Sequence, residues 1–204
     1  MRRLGKGPWP KNPKFCSSCF LEISRHRGGA EVDCSLLFAD VRGSTALAEG
    51  MRPTEFRAVM RRFFETAGHV LIEHDAIVDK FVGDEVIGIF VPALAGERHA
   101  ARAIAAARAL IAATASWVPV GAGVHTGIAF VGTVGDGDDT DLTAMGDPVN
   151  VTARLASAAG AGEVLVTADA ARAAVLDLTG IEHRQLILRG RSEPTEVVVL
   201  HGAD

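Results

Sequence analysis

Residues 76–91 read AIVDKFVGDEVIGIFV, in which two apolar runs rich in β-branched residues flank Gly83-Asp84-Glu85. This pattern predicts an antiparallel β-hairpin with a tight tip. In residues 54–74, just before it, apolar side chains recur every three or four positions, which predicts a long amphipathic helix with Thr54 as its cap. The sequence therefore predicts a helix that leads directly into a hairpin.

The elements predicted before and after this helix and hairpin give an order of strands and helices that indicates the type of sheet. Residues 34–41 (CSLLFADV) form a short apolar run typical of a buried strand, and the alanine-rich residues 97–114 predict a helix. Residues 120–126 and 128–134 predict two strands broken at Gly127. The order strand, helix, hairpin, helix, strand is that of a ferredoxin-like βαββαβ sheet with its helices on one face.

The rest of the chain adds elements to this core. A polar loop at residues 135–141 precedes a helix that opens at Asp147-Pro148 and runs to Ala159. Three apolar runs after this helix predict strands, at residues 164–167, 184–189 and 196–201. The predicted fold class is α+β, a ferredoxin-like βαββαβ core with additional C-terminal strands and helices.

Composition narrows the class of protein. The chain has 204 residues, of which 48% are hydrophobic, enough for one domain with a substantial core. Charged residues make up 23% and the formal net charge is -4, which does not suggest a nucleic-acid or membrane binder. No apolar run approaches the roughly 20 residues that cross a bilayer, and no hydrophobic stretch follows the basic start. We therefore expect a cytoplasmic globular protein without nucleic-acid or membrane partners.

The first 29 residues differ in character from residues 30–204. Arginine and lysine far outnumber acids in this segment, where Glu22 is the single acid, and glycine and proline are frequent. These features predict a basic, mostly irregular arm at residues 1–29, with one short helix at residues 20–26, in front of the folded domain. A solvated tail is favoured over an arm that contacts nucleic acid or phospholipid.

Cysteine usage agrees with a reducing compartment. Cys16, Cys19 and Cys34 are too few for a paired disulfide framework. Cys16-Ser-Ser-Cys19 is half of a zinc ligand set, and because the chain has no second CxxC pair, reduced thiols are the favoured interpretation. A dimer could bring two such pairs around one Zn²⁺, so a zinc site at Cys16 and Cys19 stays a hypothesis.

Two aspartates are predicted to meet at one rim of the sheet. Asp40 ends the first strand, before the small-residue turn Val41-Arg42-Gly43-Ser44-Thr45. A turn of this kind, leading into a helix, sets backbone N–H groups beside a carboxylate and can hold phosphate and metal together. Asp84 lies at the hairpin tip, and the hairpin strands neighbour the first strand in a ferredoxin-like sheet. The pair suits Mg²⁺ or Mn²⁺, which complete their shell with water and substrate phosphate.

Three segments, in this order and spacing, resemble the catalytic segments of class III adenylyl and guanylyl cyclases. They are FADVRGST at residues 38–45, VDKFVGDE at residues 78–85 and MGDPVNVTARL at residues 145–155. The resemblance covers residues 33–201 and implies the class III nucleotidyl cyclase fold. It makes residues 30–204 a cyclase catalytic domain.

The resemblance also implies roles for single residues. Asp40 and Asp84 carry two metal ions in the resembled family, one that activates the ribose 3′-hydroxyl and one that binds the triphosphate, and pyrophosphate leaves. Asn150 and Arg154, four residues apart on one helix face, orient the ribose and stabilise charge on the phosphate. Arg191 falls where the family has a basic residue that reaches the triphosphate, although a turn cation explains it equally well.

Lys80 and Thr143 are the residues expected to select the base. Family members that use ATP resemble this pattern, whereas members that use GTP generally have glutamate and a small polar residue such as cysteine. A lysine can donate to N1 of adenine, which is an acceptor, whereas N1 of guanine carries a hydrogen and prefers a carboxylate. ATP is therefore the predicted substrate, and cyclic AMP the predicted product.

In the resembled family one subunit supplies the metal carboxylates and the other supplies the base, ribose and phosphate contacts. A chain with both sets implies a symmetric homodimer with two shared active sites. One position departs from the pattern, because some members have arginine directly after the HTG motif, where this chain has Ile128. Phosphate binding is then expected to depend on Arg42, the turn at residues 41–45 and Arg191. His125 of the same motif is expected to be a hydrogen-bonded strand residue rather than a base.

Two other functions stay open at this point. A nucleotide-binding regulatory module, which keeps the cyclase fold but turns over little, is the alternative that Ile128 favours. A diguanylate cyclase or a polymerase palm shares the general sheet, but no GGDEF-like stretch occurs in the sequence.

Overall fold

The computed structural model describes residues 8–9, 11–16, 28–135 and 141–202. None of the helices in these ranges is both long and apolar enough to span a bilayer. The strands in these ranges are β1 (Pro8–Trp9), β2 (Asn12–Cys16), β3 (Gly29–Val41), β4 (Ile77–Val82), β5 (Glu85–Phe90), β6 (Val120–Val134), β7 (Asp141–Met145), β8 (Val164–Thr167), β9 (Glu182–Leu186) and β10 (Thr195–Leu200). The helices are α1 (Ser44–Gly50), α2 (Pro53–Glu73), α3 (Pro92–Ala95), α4 (His99–Thr114), α5 (Asp147–Ala158) and α6 (Ala168–Ala173).

One mixed sheet organises the described chain. Its strand order is β4-β5-β3-β6-β8-β10-β9, and β7 pairs with the C-terminal half of β6. Strand β3 is antiparallel to both β5 and β6, whereas β6 and β8 are parallel. The order β4-β5-β3-β6, with α2 and α4 as its two connecting helices, is that of a ferredoxin-like unit. The predicted α+β fold class is therefore confirmed.

Alternate side chains of β3 enter two different cores because strand side chains alternate between faces. Leu37 and Ala39 are fully buried in the core beneath α2, α4 and α6. Leu36 and Phe38 belong to a second core on the opposite face, where α5 packs. The two helices of the ferredoxin-like unit share one face, as predicted, and α5 covers the other face as an addition to that unit.

Helix α5 lies directly against β6 because Gly121, Gly123 and Gly127 of β6 face it. A Cβ atom at Gly123 would lie 2.6 Å from the backbone nitrogen of Ala156 and 2.9 Å from the carbonyl oxygen of Thr152. One at Gly121 would lie 2.9 Å from the carbonyl oxygen of Ala159. Any larger residue would push the helix away, so glycine is required for this close approach.

Some sequence predictions are wrong in detail. Strand β6 is continuous, not broken at Gly127, because Gly127 keeps its register opposite Cys34. Its missing side chain instead makes room for Pro148 of α5, which would lie 3.2 Å from a Cβ atom there. Helix α2 begins at Pro53, so Thr54 is not its cap; proline at the first helical position already has the required φ. The sequence pattern does not predict strand β7, because its few residues follow directly on a polar loop.

The N-terminal arm is not irregular where the structure describes it. Strands β1 and β2 form a short antiparallel hairpin, and Trp9 is buried in the second core. The helix expected at residues 20–26 lies outside the described residues. So do Cys19 and the side chain of Cys16, and the zinc hypothesis therefore has no structural support. The boundary between the arm and the domain stays a prediction.

We expect Gly123→Ala to lower the free energy of unfolding by about 1–3 kcal/mol, the usual cost of forcing a methyl group into a packed contact. The new Cβ atom would meet the backbone of α5. Urea unfolding followed by circular dichroism measures the change. Gly50→Ala is the control, because a Cβ atom there meets nothing within 4 Å, and it should be neutral or slightly stabilising. Equal stability of the two variants would contradict the proposed contact.

Candidate active site

Asp40 and Asp84 lie side by side at one end of the sheet. Asp40 stands opposite Glu85 at the end of β3, and Asp84 lies in the turn that joins β4 to β5. The backbone N–H of Val41 donates to the carbonyl oxygen of Asp84 at 3.3 Å and ties the two strand ends together. Gly83 permits the tight turn with a φ of 62°. The structure thus brings the two predicted metal ligands to one rim.

Arg42 connects this rim to helix α5. Its guanidinium forms an ion pair with Asp40, and Nη1 donates to the carbonyl oxygens of Ser157 and Ala159 at 3.1 and 3.2 Å. A cation suits the C-terminal end of a helix, where the last carbonyl groups lack helical partners. Arg42 therefore fastens the end of α5 to the end of β3, and its side chain is engaged within the chain.

The carboxylates at this rim are partly buried, and neighbouring cations do not fully balance their negative charge. Burial, with the neighbouring charge of Asp84, raises the pKa of Glu85 to about 7. Oδ1 of Asp40 contacts the Arg42 guanidinium, whose charge also faces Asp84 and Glu85. Three carboxylates thus share one cation, and a divalent cation that prefers oxygen ligands would balance the remaining negative charge. The residues present therefore fit Mg²⁺ or Mn²⁺, although the described ranges contain no group of three or more His, Cys, Asp or Glu placed to hold a metal.

The turn after Asp40 offers fewer backbone donors than the sequence suggests. The N–H groups of Val41 and Arg42 already donate to carbonyl oxygens within the chain. Gly43, with a φ of 70°, then turns the backbone into α1, which begins at Ser44. The phosphate-binding prediction for residues 41–45 therefore rests on the N–H groups of Gly43, Ser44 and Thr45.

A small pocket of about 120 Å³ lies between β4 and β7 and contains the two residues predicted to select the base, Lys80 and Thr143. A β-bulge between Val78 and Lys80 interrupts the alternation of β4, so the neighbours Asp79 and Lys80 both reach this pocket. Thr143 Oγ1 donates to Asp79 Oδ2 at 2.8 Å. The remaining walls are mainly apolar, from Leu36, Phe38, Ile87, Ala144 and Val149. Asp79 is a pocket residue that the sequence did not reveal.

Asn150 and Arg154 lie one turn apart on α5, and Asn150 is exposed. The guanidinium of Arg154 packs beside Gly190, where a Cβ atom would lie 3.4 Å from Nη2. Arg191, the next residue of that loop, forms an ion pair with Asp147 at the start of α5. Asn150 and Arg154 thus lie on one helix, and Arg191 lies beside the start of that helix, where it and Asp147 line a cleft of about 520 Å³.

The HTG motif on β6 behaves as a structural segment. Nδ1 of His125 lies 2.9 Å from Oγ1 of Thr167, and burial lowers the pKa of His125. These contacts agree with the prediction that His125 is a hydrogen-bonded strand residue. Ile128, which stands where some cyclases have arginine, is 66% exposed.

Within one chain, the metal rim and the ribose-binding residues lie at different ends of α5. Arg42 at the rim contacts Ser157 in the last turn of α5 and Ala159 just after it, whereas Asn150 is in the first turn. Seven residues separate Asn150 from Ser157, which corresponds to about 10 Å along a helix. One chain therefore presents the two predicted residue sets as separate groups.

Comparison with known protein sequences identifies relatives of the whole domain. Residues 29–202 match the model of a family described as the adenylate and guanylate cyclase catalytic domain. Adenylate cyclase 1 of Rhizobium meliloti is 34% identical over 146 residues, which cover 65% of this chain and 22% of that protein. An uncharacterized protein of Mycobacterium tuberculosis is 31% identical over 181 residues, 84% of this chain and 34% of that protein. The chain thus spans between a fifth and about a third of the length of these two relatives.

Solved cyclase structures share the fold. The guanylyl cyclase Cya2 aligns with a TM-score of 0.78 and 25% identity, covering 87% of this chain and 95% of that one. The adenylyl cyclase CyaB from P. aeruginosa aligns with a TM-score of 0.76 and 24% identity, covering 86% and 97%. Because one is an adenylyl and the other a guanylyl enzyme, the fold alone does not choose between ATP and GTP.

We expect Arg42→Ala to lower the free energy of unfolding by about 1–3 kcal/mol, because it leaves Asp40 unpaired and removes hydrogen bonds from the end of α5. Arg61→Ala is the matched control, since Arg61 pairs with Glu65 on an exposed helix surface, and should change stability by less than about 1 kcal/mol. Chemical denaturation of both variants measures the difference. If Arg42→Ala is no more destabilising than the control, Arg42 does not fasten α5.

Proposed function

Because the chain belongs to the family of adenylate and guanylate cyclase catalytic domains, we propose that it converts ATP into 3′,5′-cyclic AMP and pyrophosphate. The ribose 3′-oxygen forms a bond to the α-phosphorus, the bond from that phosphorus to the β-bridging oxygen breaks, and the 3′-hydroxyl proton is released. The observation that carries the choice of ATP is the pocket in which Lys80 and Thr143 meet.

Lys80 supports adenine over guanine as the bound base. Its ammonium group can only donate hydrogen bonds, and N1 of adenine is an acceptor. The apolar walls of the pocket suit the faces of a planar base. The similarity to adenylate cyclase 1 of Rhizobium meliloti points the same way.

Asp40 and Asp84 are the residues that would hold two divalent metal ions, as the resemblance to class III cyclases implies and as their position at one rim allows. Two divalent cations there would supply charge neutralisation for the triphosphate and a lowered pKa for the ribose 3′-hydroxyl. The protein itself brings the two carboxylates to one rim through the hydrogen bond from Val41 to Asp84. Arg42 keeps the end of β3, and with it Asp40, attached to α5.

Residues on and beside α5 would hold the ribose and the phosphates. The exposed side-chain amide of Asn150 can hydrogen-bond to the ribose. Arg154, one turn further, presents a permanent cation to the negative charge that develops on the phosphate during transfer. Arg191 can reach the triphosphate by leaving Asp147, because a pair in which both side chains are substantially exposed is weak.

We further propose that two copies of the chain build each active site. The rim with Asp40 and the first turn of α5 with Asn150 are about 10 Å apart along the helix in one chain, which agrees with a site that a second chain completes. Exposed apolar residues are available for such an interface, as expected of an association surface. They are Phe81 and Val82 at the hairpin tip and Ile128, Phe130 and Met145 on β6 and β7.

A nucleotide-binding regulatory module is the second candidate function. Ile128 favours it, because an exposed apolar side chain stands where some cyclases have a phosphate-binding arginine. Such a module would bind ATP tightly and form little or no product.

Incubation of the purified protein with Mn²⁺ and ATP should give 3′,5′-cyclic AMP and pyrophosphate, identified by chromatography and mass spectrometry. GTP should be the poorer substrate, since Lys80 offers no acceptor for the N1 hydrogen of guanine. Asp84→Ala should abolish turnover without unfolding the protein, because the hydrogen bond that ties Asp84 to β3 is made by its backbone carbonyl oxygen, which alanine keeps. Tight ATP binding without product would favour the regulatory module, and a linear dinucleotide product would favour a diguanylate cyclase.

Mixing two inactive variants tests the shared site. Asp40→Ala and Asn150→Ala should each be inactive as homodimers, because both sites of each dimer are incomplete. After subunit exchange, half of the dimers combine the two variants and have one intact site each, so the mixture should recover about a quarter of the unmodified activity. A mixture as inactive as its components, although exchange is shown by tagged subunits, would rule out sites shared between chains.

A further inference from the structure

The hairpin of β1 and β2 lies outside the family segment, which starts at residue 29. It is nevertheless docked against the edge of β4. The carbonyl oxygen of Lys11 accepts a hydrogen bond from Val78 N–H at 2.9 Å, and the fully buried Asn12 donates through Nδ2 to the carbonyl oxygen of Ala76 at 2.9 Å. Together with the burial of Trp9, these bonds hold the hairpin in a fixed place beside the base pocket.

Lys11 spans the two walls of that pocket. Its Nζ lies 3.1 Å from Asp79 Oδ1 on β4, 2.7 Å from the carbonyl oxygen of Leu142 on β7 and 2.6 Å from Asp141 Oδ1. The side chain is 16% exposed. Three acceptors use all three hydrogens of an ammonium group, so its orientation is determined.

Asp79 is the link between Lys11 and the residues that contact the base. Its side chain is 4% exposed, and a buried carboxylate must be paired and hydrogen-bonded. Oδ1 accepts from Lys11 and Oδ2 accepts from the Thr143 hydroxyl at 2.8 Å. Lys80 Nζ lies further away, at 3.7 Å. With Lys11 in place, the charge of Asp79 is balanced without taking the Lys80 ammonium from the pocket.

The hydrogen bond to Asp79 also decides what Thr143 can offer a ligand. A carboxylate only accepts, so the single hydroxyl hydrogen of Thr143 is committed to Asp79 and its oxygen is left as an acceptor. Lys80 can only donate. The pocket therefore presents an acceptor beside a donor, which complements the amino group and N1 of adenine. Guanine carries an acceptor oxygen where adenine has the amino group, and a hydrogen on N1.

We propose that Lys11 and Asp79 are positioning residues for base selection: Lys11 holds Asp79, and Asp79 fixes the Thr143 hydroxyl as an acceptor, so that adenine is preferred over guanine. This inference rests on the proposed function, since it assumes that the pocket receives the base. It makes the N-terminal hairpin a part of the nucleotide site. Removal of Lys11 would leave Lys80 as the nearest cation to Asp79 and would draw it away from the base.

Kinetics with ATP and with GTP, in Mn²⁺, test this proposal on the full chain. Lys11→Ala should raise the KM for ATP about tenfold, the effect of losing one charge-assisted hydrogen bond. The kcat should change by less than about twofold, because the reacting phosphate contacts are untouched. The KM for GTP should change little, so the preference for ATP falls. Lys11→Arg should restore most of that preference, because arginine keeps the charge.

Two further variants separate this role from a merely structural one. Lys14→Ala is the matched control on the same hairpin, because Lys14 contacts Asp75 and the carbonyl oxygen of Glu73, away from the pocket. It should leave both KM values within about twofold, as expected for an exposed ion pair.

Asp79→Asn lets an amide N–H donate to Thr143 and frees its hydroxyl hydrogen, so the preference for ATP should fall as in Lys11→Ala. If Lys11→Ala is unstable, Asp79→Asn alone decides the inference, because the retained Lys11 holds the amide oxygen and turns the amide N–H toward Thr143.

The outcomes are distinguishable from those for the proposed function. Turnover by the unmodified protein, with the ratio of KM values for ATP and GTP unchanged in Lys11→Ala and Asp79→Asn, would overturn the inference and leave the cyclase proposal intact. An equal loss for both nucleotides would also overturn it, because a structural defect has that effect. If the unmodified protein forms no product, calorimetry measures the binding of ATP and GTP to the same variants. The ratio of the two dissociation constants then tests the inference. Absence of binding to either nucleotide would contradict both proposals.

Discussion

The close contact between helix α5 and strand β6 is the constraint on which the site depends. Gly121, Gly123 and Gly127 leave no side chain between the strand and the helix, so the helix backbone lies against the sheet. This contact sets the position of Asn150 and Arg154 relative to the sheet. Arg42 then fastens the far end of the same helix to the strand that carries Asp40. The glycines of β6 and Arg42 thereby fix the positions of Asp40, Asn150 and Arg154 relative to one another.

The order of the elements follows from the sequence because apolar periodicity reports directly on burial. The pattern around Gly83 predicts the hairpin, and the aspartates at its tip and at the end of β3 converge as expected from ferredoxin-like pairing. The same reasoning fails at Gly127, where glycine makes room for helix α5 and does not interrupt the strand. It also fails at Thr54, because Pro53 starts α2 one residue earlier.

Two features of the base pocket could not be predicted from periodicity. Regular alternation along β4 would place Lys80 on the opposite face from Asp79, and only the bulge brings both residues to the pocket. Lys11 lies in a segment that reads as a solvated basic arm, because its partners Asp79 and Asp141 are distant in sequence. Such long-range pairs leave no local signal. The basic character of the arm is therefore partly explained by Asp79 and Asp141, the carboxylates with which Lys11 pairs.

In the proposed dimer a nucleotide lies between two copies of the chain, with the metal rim of one facing the α5 residues of the other. A crystal structure with Mn²⁺ and a non-reactive ATP analogue tests it most directly, with the cations located by anomalous scattering. We expect the α-phosphate between Asp40 and Asp84 of one copy and Asn150 and Arg154 of the second, with the base beside Lys80. A nucleotide bound entirely by residues of one chain would contradict it.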